Sequence, residues 1–329
     1  MTRVYALWKQ MSGHTASCFR ALTAEGAEVR ILHREATPDA PFDDASLTDG
    51  LDVRTWKESV DDDVVARELE EFEPEILFVC SWNVGAYRRS ARRWRGRALR
   101  IVMMDNQWMG TPKQWGGRLA RRAIIAPAYD AAFVPGERQA VFARHLGFRP
   151  REILSGVYSC EESFFTGPQV PPRDGFLFIG RLVGSKGVDV LASAYRAYYD
   201  RAVEPWPLRV VGTGPMAPAL ERLAGVEMLG FMAPSSLPAL MAGAGCLVLP
   251  SRFEPWGVVV HEATASGMAV ICTDVCGAST RLVLDGYNGR VVGTEDSEQL
   301  TLAMRWIAEA GSDRRASISS ASTDLAAQF

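Results

Sequence analysis

Short continuous apolar runs alternate along the chain with longer stretches of helical periodicity, the pattern of successive βαβ units that builds parallel sheets. In the first half the pattern predicts strands at Val4–Trp8, Val29–His33, Ile76–Cys80, Leu99–Met104 and Ala131–Val134. It breaks at Thr166–Gly175, where proline removes ladder donors and fixes φ. It resumes with strands at Phe176–Ile179, Leu208–Val211, Cys246–Leu249 and Ala269–Cys272. The expected fold class is α/β: two Rossmann-like, doubly wound domains facing across a cleft, with ligands at the carboxyl ends of the strands. The expected division is a first domain over 1–166, a hinge over 167–175, a second domain over 176–310 and a tail over 311–329. The tail is Ser/Ala-rich from Ala316 and reads as too short and too polar for a long closing helix, leaving room for a short crossover helix.

Composition narrows the classes. A chain of 329 residues, 47% hydrophobic, can bury two cores. Lys and Arg number 36 against 39 Asp and Glu, a net charge of -3, without the positive excess of a general nucleic-acid binder. The six cysteines (18, 80, 160, 246, 272 and 276) form no CxxC pair and read as reduced, mostly buried thiols of a cytosolic protein. With four histidines, at 14, 33, 145 and 261, a histidine-based metal site is not expected. The N-terminal MTRVYALWKQ reads as a strand rather than a signal peptide, and no segment has the ~20 apolar residues of a membrane span. The expected location is cytoplasmic, free or peripheral on the inner face of the membrane.

Charge is unevenly spread. Residues 58–75 are strongly acidic, whereas residues 88–122 hold eleven Arg and Lys and one acid, Asp105. Asp61-Asp62-Asp63 has the form of a DxD metal motif, but in an acidic helical segment it reads as a solvated face. The basic stretch Arg88–Arg97, with Arg118, Arg121 and Arg122, has two readings: a face offsetting the acidic segment, or peripheral docking on an anionic membrane with Trp94 as anchor.

The strongest chemical signal follows the Cys246–Leu249 strand, in PSRFEPWGVVVHEATASG from Pro250 to Gly267. Proline is tolerated at a helix start, and a helix beginning near Gly257 would aim free N–H groups back toward the strand end, a ready site for a diphosphate. Glu254 before that helix and Glu262 on it could accept hydrogen bonds from hydroxyls on either side of such a phosphate. Glu262 sits among Val258, Val259, Val260 and Ala263, where an unpaired carboxylate is costly.

Glu254 to Glu262 resembles the E-x7-E signature of glycosyltransferase family 4, retaining enzymes of the GT-B architecture. Its companions occur in the same order: Gly180-Arg181 with Lys186-Gly187, the Gly212-Thr213-Gly214-Pro215 turn, Gly230-Phe231, and Asp285-Gly286-Tyr287-Asn288-Gly289. Ser155-Gly156-Val157 followed by Phe164 resembles the segment that closes the family's first domain. The resemblance covers residues 150–310 well and the first half loosely.

It implies an N-terminal acceptor-side domain and a C-terminal donor domain, with transfer from a nucleoside diphosphate sugar to a glycan, glycolipid or small-molecule hydroxyl. The anomeric configuration would be retained, and a UDP- or GDP-sugar would be co-substrate, with no cofactor and no metal. The implied catalytic set is Arg181, Lys186, Glu254 and Asp105. The implied donor contacts are Gly13, Gly214, Phe231, Trp256, Gly257, Val258 and Glu262. His14, Gln107 and Trp108 are the acceptor-side candidates. Two positions depart from the family: Met104 precedes Asp105 where many members carry histidine, and Arg281 stands where glutamate is common. Asp105, the sole acid in its basic stretch, is expected to stay ionised. The rivals are another GT-B activity, such as a nucleotide-sugar epimerase or a phosphorylase, and a silent sugar-nucleotide binding protein.

Overall fold

The computed structural model describes residues 1–35, 47–57, 60–165 and 174–329. They form two compact units, Met1–Ser159 and Cys160–Phe329. The expected hinge at 167–175 therefore lies largely outside the described residues. The second unit begins before residue 166, because the Cys160 amide donates to His261 Nδ1 at 3.1 Å and Phe165 packs edge-on against the same imidazole.

The first unit holds seven parallel strands: β1 (Arg3–Leu7), β2 (Glu28–Arg34), β3 (Asp52–Trp56), β4 (Ile76–Val79), β5 (Leu99–Met103), β6 (Ala131–Val134) and β7 (Ile153–Ser155). Their order is β3-β2-β1-β4-β5-β6-β7. The second unit holds β8 (Phe176–Ile179), β9 (Leu208–Val211), β10 (Val226–Gly230), β11 (Cys246–Leu249), β12 (Ala269–Thr273) and β13 (Gly289–Val292), ordered β10-β9-β8-β11-β12-β13. Each chain path runs outward to one side and then returns to run the other way, so strand order reverses at β1/β4 and at β8/β11. Helices cover both faces, and adjacent residues of one strand enter opposite cores: Tyr5 and Leu7 on one side of β1, Val4 and Ala6 on the other.

All nine expected strands are present. The four that the apolar runs did not show, β3, β7, β10 and β13, are the edges of the two sheets. Strands buried on both faces read as continuous hydrophobic runs, whereas an edge strand keeps polar positions. Every residue of β11 and β12 is buried, but none of β3 is fully so.

The basic and acidic segments pair with each other. Arg89 grips Asp62 with bonds of 2.6 and 2.9 Å, and Arg97 grips Glu70 with bonds of 2.6 and 2.8 Å. Asp61 caps the helix Asp62–Phe72 by accepting from the Asp63 amide, which uses this acidic triplet structurally. Trp94 is 3% exposed, with the Arg97 guanidinium 3.9 Å over its ring. The reading of Trp94 as an interfacial anchor is therefore wrong, because the ring belongs to the core.

The tail carries a longer helix than expected. Ser312–Ala327 is a sixteen-residue helix whose Ile318, Ala321, Ser322 and Ala326 are buried in the second unit. Its small residues, which look like low complexity in the sequence, permit close approach. Asn288, fully buried, donates from Nδ2 to the Leu282 carbonyl and to Ser322 Oγ, while its Oδ1 accepts from the Leu284 amide. The Asp285–Gly289 turn thus seats this helix.

Candidate functional site in the second unit

Two loops leave the carboxyl ends of the neighbouring strands β8 and β11, at the switch point where α/β sheets assemble ligand sites. After β8 the chain passes Gly180 and Arg181, makes a 3-10 turn at Gly184–Lys186, and enters the helix Val188–Tyr199 through Gly187. Gly187 has φ +65°, and a Cβ there would stand 2.0 Å from the Pro250 carbonyl oxygen. Only glycine permits this contact, which presses the β8 loop onto the end of β11. Arg252 fastens the same junction, donating to the Gly184 carbonyl at 2.7 Å and pairing with Asp189 and Glu295.

The consequence is that Lys186 Nζ forms an ion pair with Glu254 Oε2. Glu254 is 8% exposed, and Ser251 Oγ donates to the same oxygen at 3.2 Å. A buried pair of this kind gains little net stability over apolar packing, but it fixes both groups at one spot. Arg181 leaves the same loop exposed, with no carboxylate partner among the described residues. Behind Glu254, Gly257 caps the helix Val258–Ala265 in a left-handed conformation, φ +92°. The amides of Val258 and Val259 lie in the first turn, where a helix has no acceptors of its own.

Glu262 lies one turn further along this helix, partly buried, and no described residue donates to its carboxylate. Burial, and next the negative charge of Glu161, push its carboxyl up to about 7. Its neighbour His261 is buried and accepts from the Cys160 amide at Nδ1, which leaves Nε2 to carry the proton and donate to the Ala326 carbonyl at 3.1 Å. Burial lowers the affinity of this imidazole for a second proton.

The other donor-side candidates separate. Phe231 is 52% exposed, so its ring does not belong to the core. The Trp256 side chain is 2% exposed and stacks on Phe329 at 5.2 Å, so only its backbone could serve the expected contact, and its carbonyl already accepts from the Ala278 amide. Gly214 is pressed on the first loop, where a Cβ would stand 2.4 Å from the Leu182 carbonyl oxygen; packing alone accounts for that glycine.

The first unit has its own switch point at β1/β4. Gly13 opens the helix Gly13–Ala24 after β1; Ser12 stands at its N-cap position, with Oγ 3.2 Å from His14 Nδ1 and 2.8 Å from Thr15 Oγ1 rather than on a helix amide. The His14 ring meets Tyr158 edge-on at 5.0 Å, and burial lowers its pKa to about 4, so it is neutral at pH 7. Asp105, after β5, accepts from Asn106 Nδ2 at 2.9 Å. Burial raises its pKa, and the charge of Lys9 opposes that shift. Its basic neighbours in sequence turn elsewhere: Arg89, Arg97 and Arg100 pair with Asp62, Glu70 and Asp130.

Gln107 and Trp108 do not join this group. Gln107 is buried and its carbonyl accepts from Gln114, while Trp108 stacks on His145 at 4.0 Å. Three residues that the sequence reading passed over belong with the sites: Ser251 and Arg252, which flank Glu254 in the same motif, and Tyr158. Tyr158 holds φ +73°, sparsely populated for a residue with a Cβ, and its phenol feels the charge of Asp105.

Two Rossmann-like parallel-sheet units of this kind define the GT-B glycosyltransferase fold. The structure is similar to the Anabaena HepE complex with UDP and glucose, at TM-score 0.75 and 16% identity, covering 98% of this chain and 95% of that one. It is also similar to a Rickettsia africae glycosyltransferase, at TM-score 0.79 and 13% identity, covering 99% and 93%. In sequence, residues 173–310 match the family model described as glycosyl transferases group 1. The alpha-D-kanosaminyltransferase of Streptomyces kanamyceticus is 32% identical over 35% of this chain and 31% of its own. The D-inositol 3-phosphate glycosyltransferase of Jonesia denitrificans is 25% identical over 82% of this chain and 76% of its own. The chain covers only 31%, 32% and 27% of the first three curated relatives it matches.

Proposed function

We propose that this chain is a retaining glycosyltransferase that moves a sugar from a nucleoside diphosphate sugar, a UDP- or GDP-sugar, to an acceptor hydroxyl, without a metal. The observation that carries the reading is the Lys186–Glu254 pair at the β8/β11 switch point, beside the first turn of the Val258–Ala265 helix. An anion at that helix start meets peptide N–H groups and the positive end of the helix.

On this reading Arg181 and Lys186 hold the diphosphate, Glu254 accepts from sugar hydroxyls, and Glu262 accepts from the ribose. The bond from C1 to the phosphate oxygen breaks with its electron pair passing to the phosphate. The acceptor oxygen bonds C1 on the same face, and its proton passes to the departing phosphate. Arg181 and Lys186 would stabilise the charge that grows on that phosphate.

The test is a thermal-shift series with UDP, GDP and ADP, followed by turnover of the corresponding sugars, since a bound ligand raises stability by mass action. One nucleoside diphosphate is expected to raise the melting temperature, with turnover unaffected by EDTA. Glu254→Ala should keep most of the nucleotide-induced shift and lose turnover. The absence of a shift from every nucleotide would refute the donor site, and activity abolished by chelation and restored by Mg2+ would refute the metal-free clamp.

A further inference from the structure

The helix that follows the Asp105 loop is built inside out. Pro112–Leu119 starts at a capping box in which the Gln114 amide donates to Thr111 Oγ1 at 3.3 Å. Its buried face is marked by Gly117, where a Cβ would stand 3.0 Å from the Trp82 ring, so the helix backbone lies close upon the unit. The opposite face carries Pro112, Trp115, Gly116 and Leu119, all exposed, at the spacing i, i+3, i+4, i+7 of a single apolar stripe. Trp115 is 46% exposed, Leu119 is 80% exposed, and Met109 beside them is 55% exposed. A surface helix ordinarily turns such a stripe inward, and a contiguous outward one marks a contact surface.

The rim of the stripe is of one sign. Lys113, Arg118, Arg121 and Arg122 surround it, and residues 106–129 contain no Asp or Glu. The Arg118 guanidinium lies 4.9 Å over the Trp115 ring. We propose that this face docks the protein on an anionic lipid bilayer, with Trp115 and Leu119 entering the headgroup boundary and the cations meeting lipid phosphates. Indole and leucine on one face with Lys and Arg beside them are the composition of an interfacial helix. A protein partner would have to be acidic around an apolar centre, whereas an anionic bilayer offers both at once. The surface is distinct from the Arg88–Arg97 stretch, whose Trp94 is core and whose Arg89 and Arg97 are paired.

Gln114 ties the helix to the loop before it, accepting from the Met109 amide at 2.7 Å and donating to the Gln107 carbonyl at 2.8 Å. Docking would therefore hold the carboxyl end of β5, and Asp105 with it, near the lipid headgroups. This inference does not depend on sugar transfer.

The experiment is sedimentation of the whole chain with phosphatidylcholine vesicles, with and without phosphatidylglycerol, at low and high salt. The protein should bind the phosphatidylglycerol vesicles and release with salt. The double substitution Trp115→Ser with Leu119→Ser, and separately Lys113→Ser with Arg122→Ser, should each weaken binding at least about tenfold. Melting temperatures should stay unchanged for Lys113→Ser with Arg122→Ser, whose side chains are exposed, and fall only slightly for the Trp115 variant, whose ring packs by one edge on Trp108 at 5.4 Å. Arg92→Ser with Arg93→Ser should bind as the parent does. Failure to bind anionic vesicles, equal binding to neutral ones, or undiminished binding by the Trp115/Leu119 variant would overturn the proposal. So would self-association that Leu119→Ser abolishes, which would assign the face to a second copy of the chain.

Discussion

At the scale of single residues, the two glutamates of the 254–262 stretch face opposite electrostatic situations. Glu254 has a cation and a hydroxyl on one oxygen. Glu262 has neither, and a second carboxylate, Glu161, bears on it. Stability and function therefore conflict at Glu262. A carboxyl that titrates near 4.5 when unfolded and about 7 when folded holds its proton more tightly in the folded state. Its contribution is favourable at low pH and is lost as pH rises through that interval, because the folded chain must then carry a buried charge. Glu262→Gln should leave the melting temperature near that of the parent at pH 5 and raise it at pH 8. The same variant should respond less to the nucleotide that stabilises the parent, since an amide accepts only through its one oxygen. A melting difference that does not grow between pH 5 and 8 would show that Glu262 finds a partner in solution.

At the scale of elements, the sequence displays what is buried on both sides and conceals what lies at an edge. The central strands are apolar throughout, so FLFI of β8 and CLVL of β11 stand out unaided. DVRTW of β3 and VEMLG of β10 show neither a run nor an alternation, because at a sheet edge polar side chains find water. The same logic divides the site. Lys186 and Glu254 could be singled out because glycine, proline and charge coincide around them, but that they pair follows only from the adjacency of β8 and β11. Asp105 shows the converse: eleven cations stand near it in sequence, but Arg89, Arg97 and Arg100 turn to Asp62, Glu70 and Asp130, which sequence nearness does not reveal.

The element-level claim can be broken at one atom. A methyl group at position 187 would overlap the Pro250 carbonyl, and the left-handed backbone there adds strain of about 1–3 kcal/mol. Gly187→Ala should lower the melting temperature and cut donor turnover together, by displacing Lys186 from Glu254. Gly184→Ala, three residues earlier, meets nothing within 4 Å and should do neither. If the two variants behave alike, the tight junction of the loops is not what positions Lys186.

At the scale of the whole molecule, the chain comprises two compact units, and each has a switch point with titratable groups beside it. The proposed nucleotide-binding groups all lie in Cys160–Phe329, whereas His14, Asp105 and Tyr158 lie in Met1–Ser159. Substitutions in the first unit should therefore separate binding from transfer. Burial raises the pKa of Asp105 while the charge of Lys9 opposes the shift, and a buried carboxylate is costly unless it serves something. Asp105→Asn retains the size and the local turn chemistry but cannot carry charge. It should leave the nucleotide-induced thermal shift intact and reduce transfer at least tenfold, about 1.4 kcal/mol of transition-state stabilisation. Loss of the thermal shift as well would mean that the substitution disturbs the second unit, which a purely acceptor-side role forbids. If Asp105→Asn transfers normally while His14→Ala does not, the role passes to His14, whose imidazole, neutral at pH 7 and held against Tyr158, can accept a hydrogen bond from an acceptor hydroxyl.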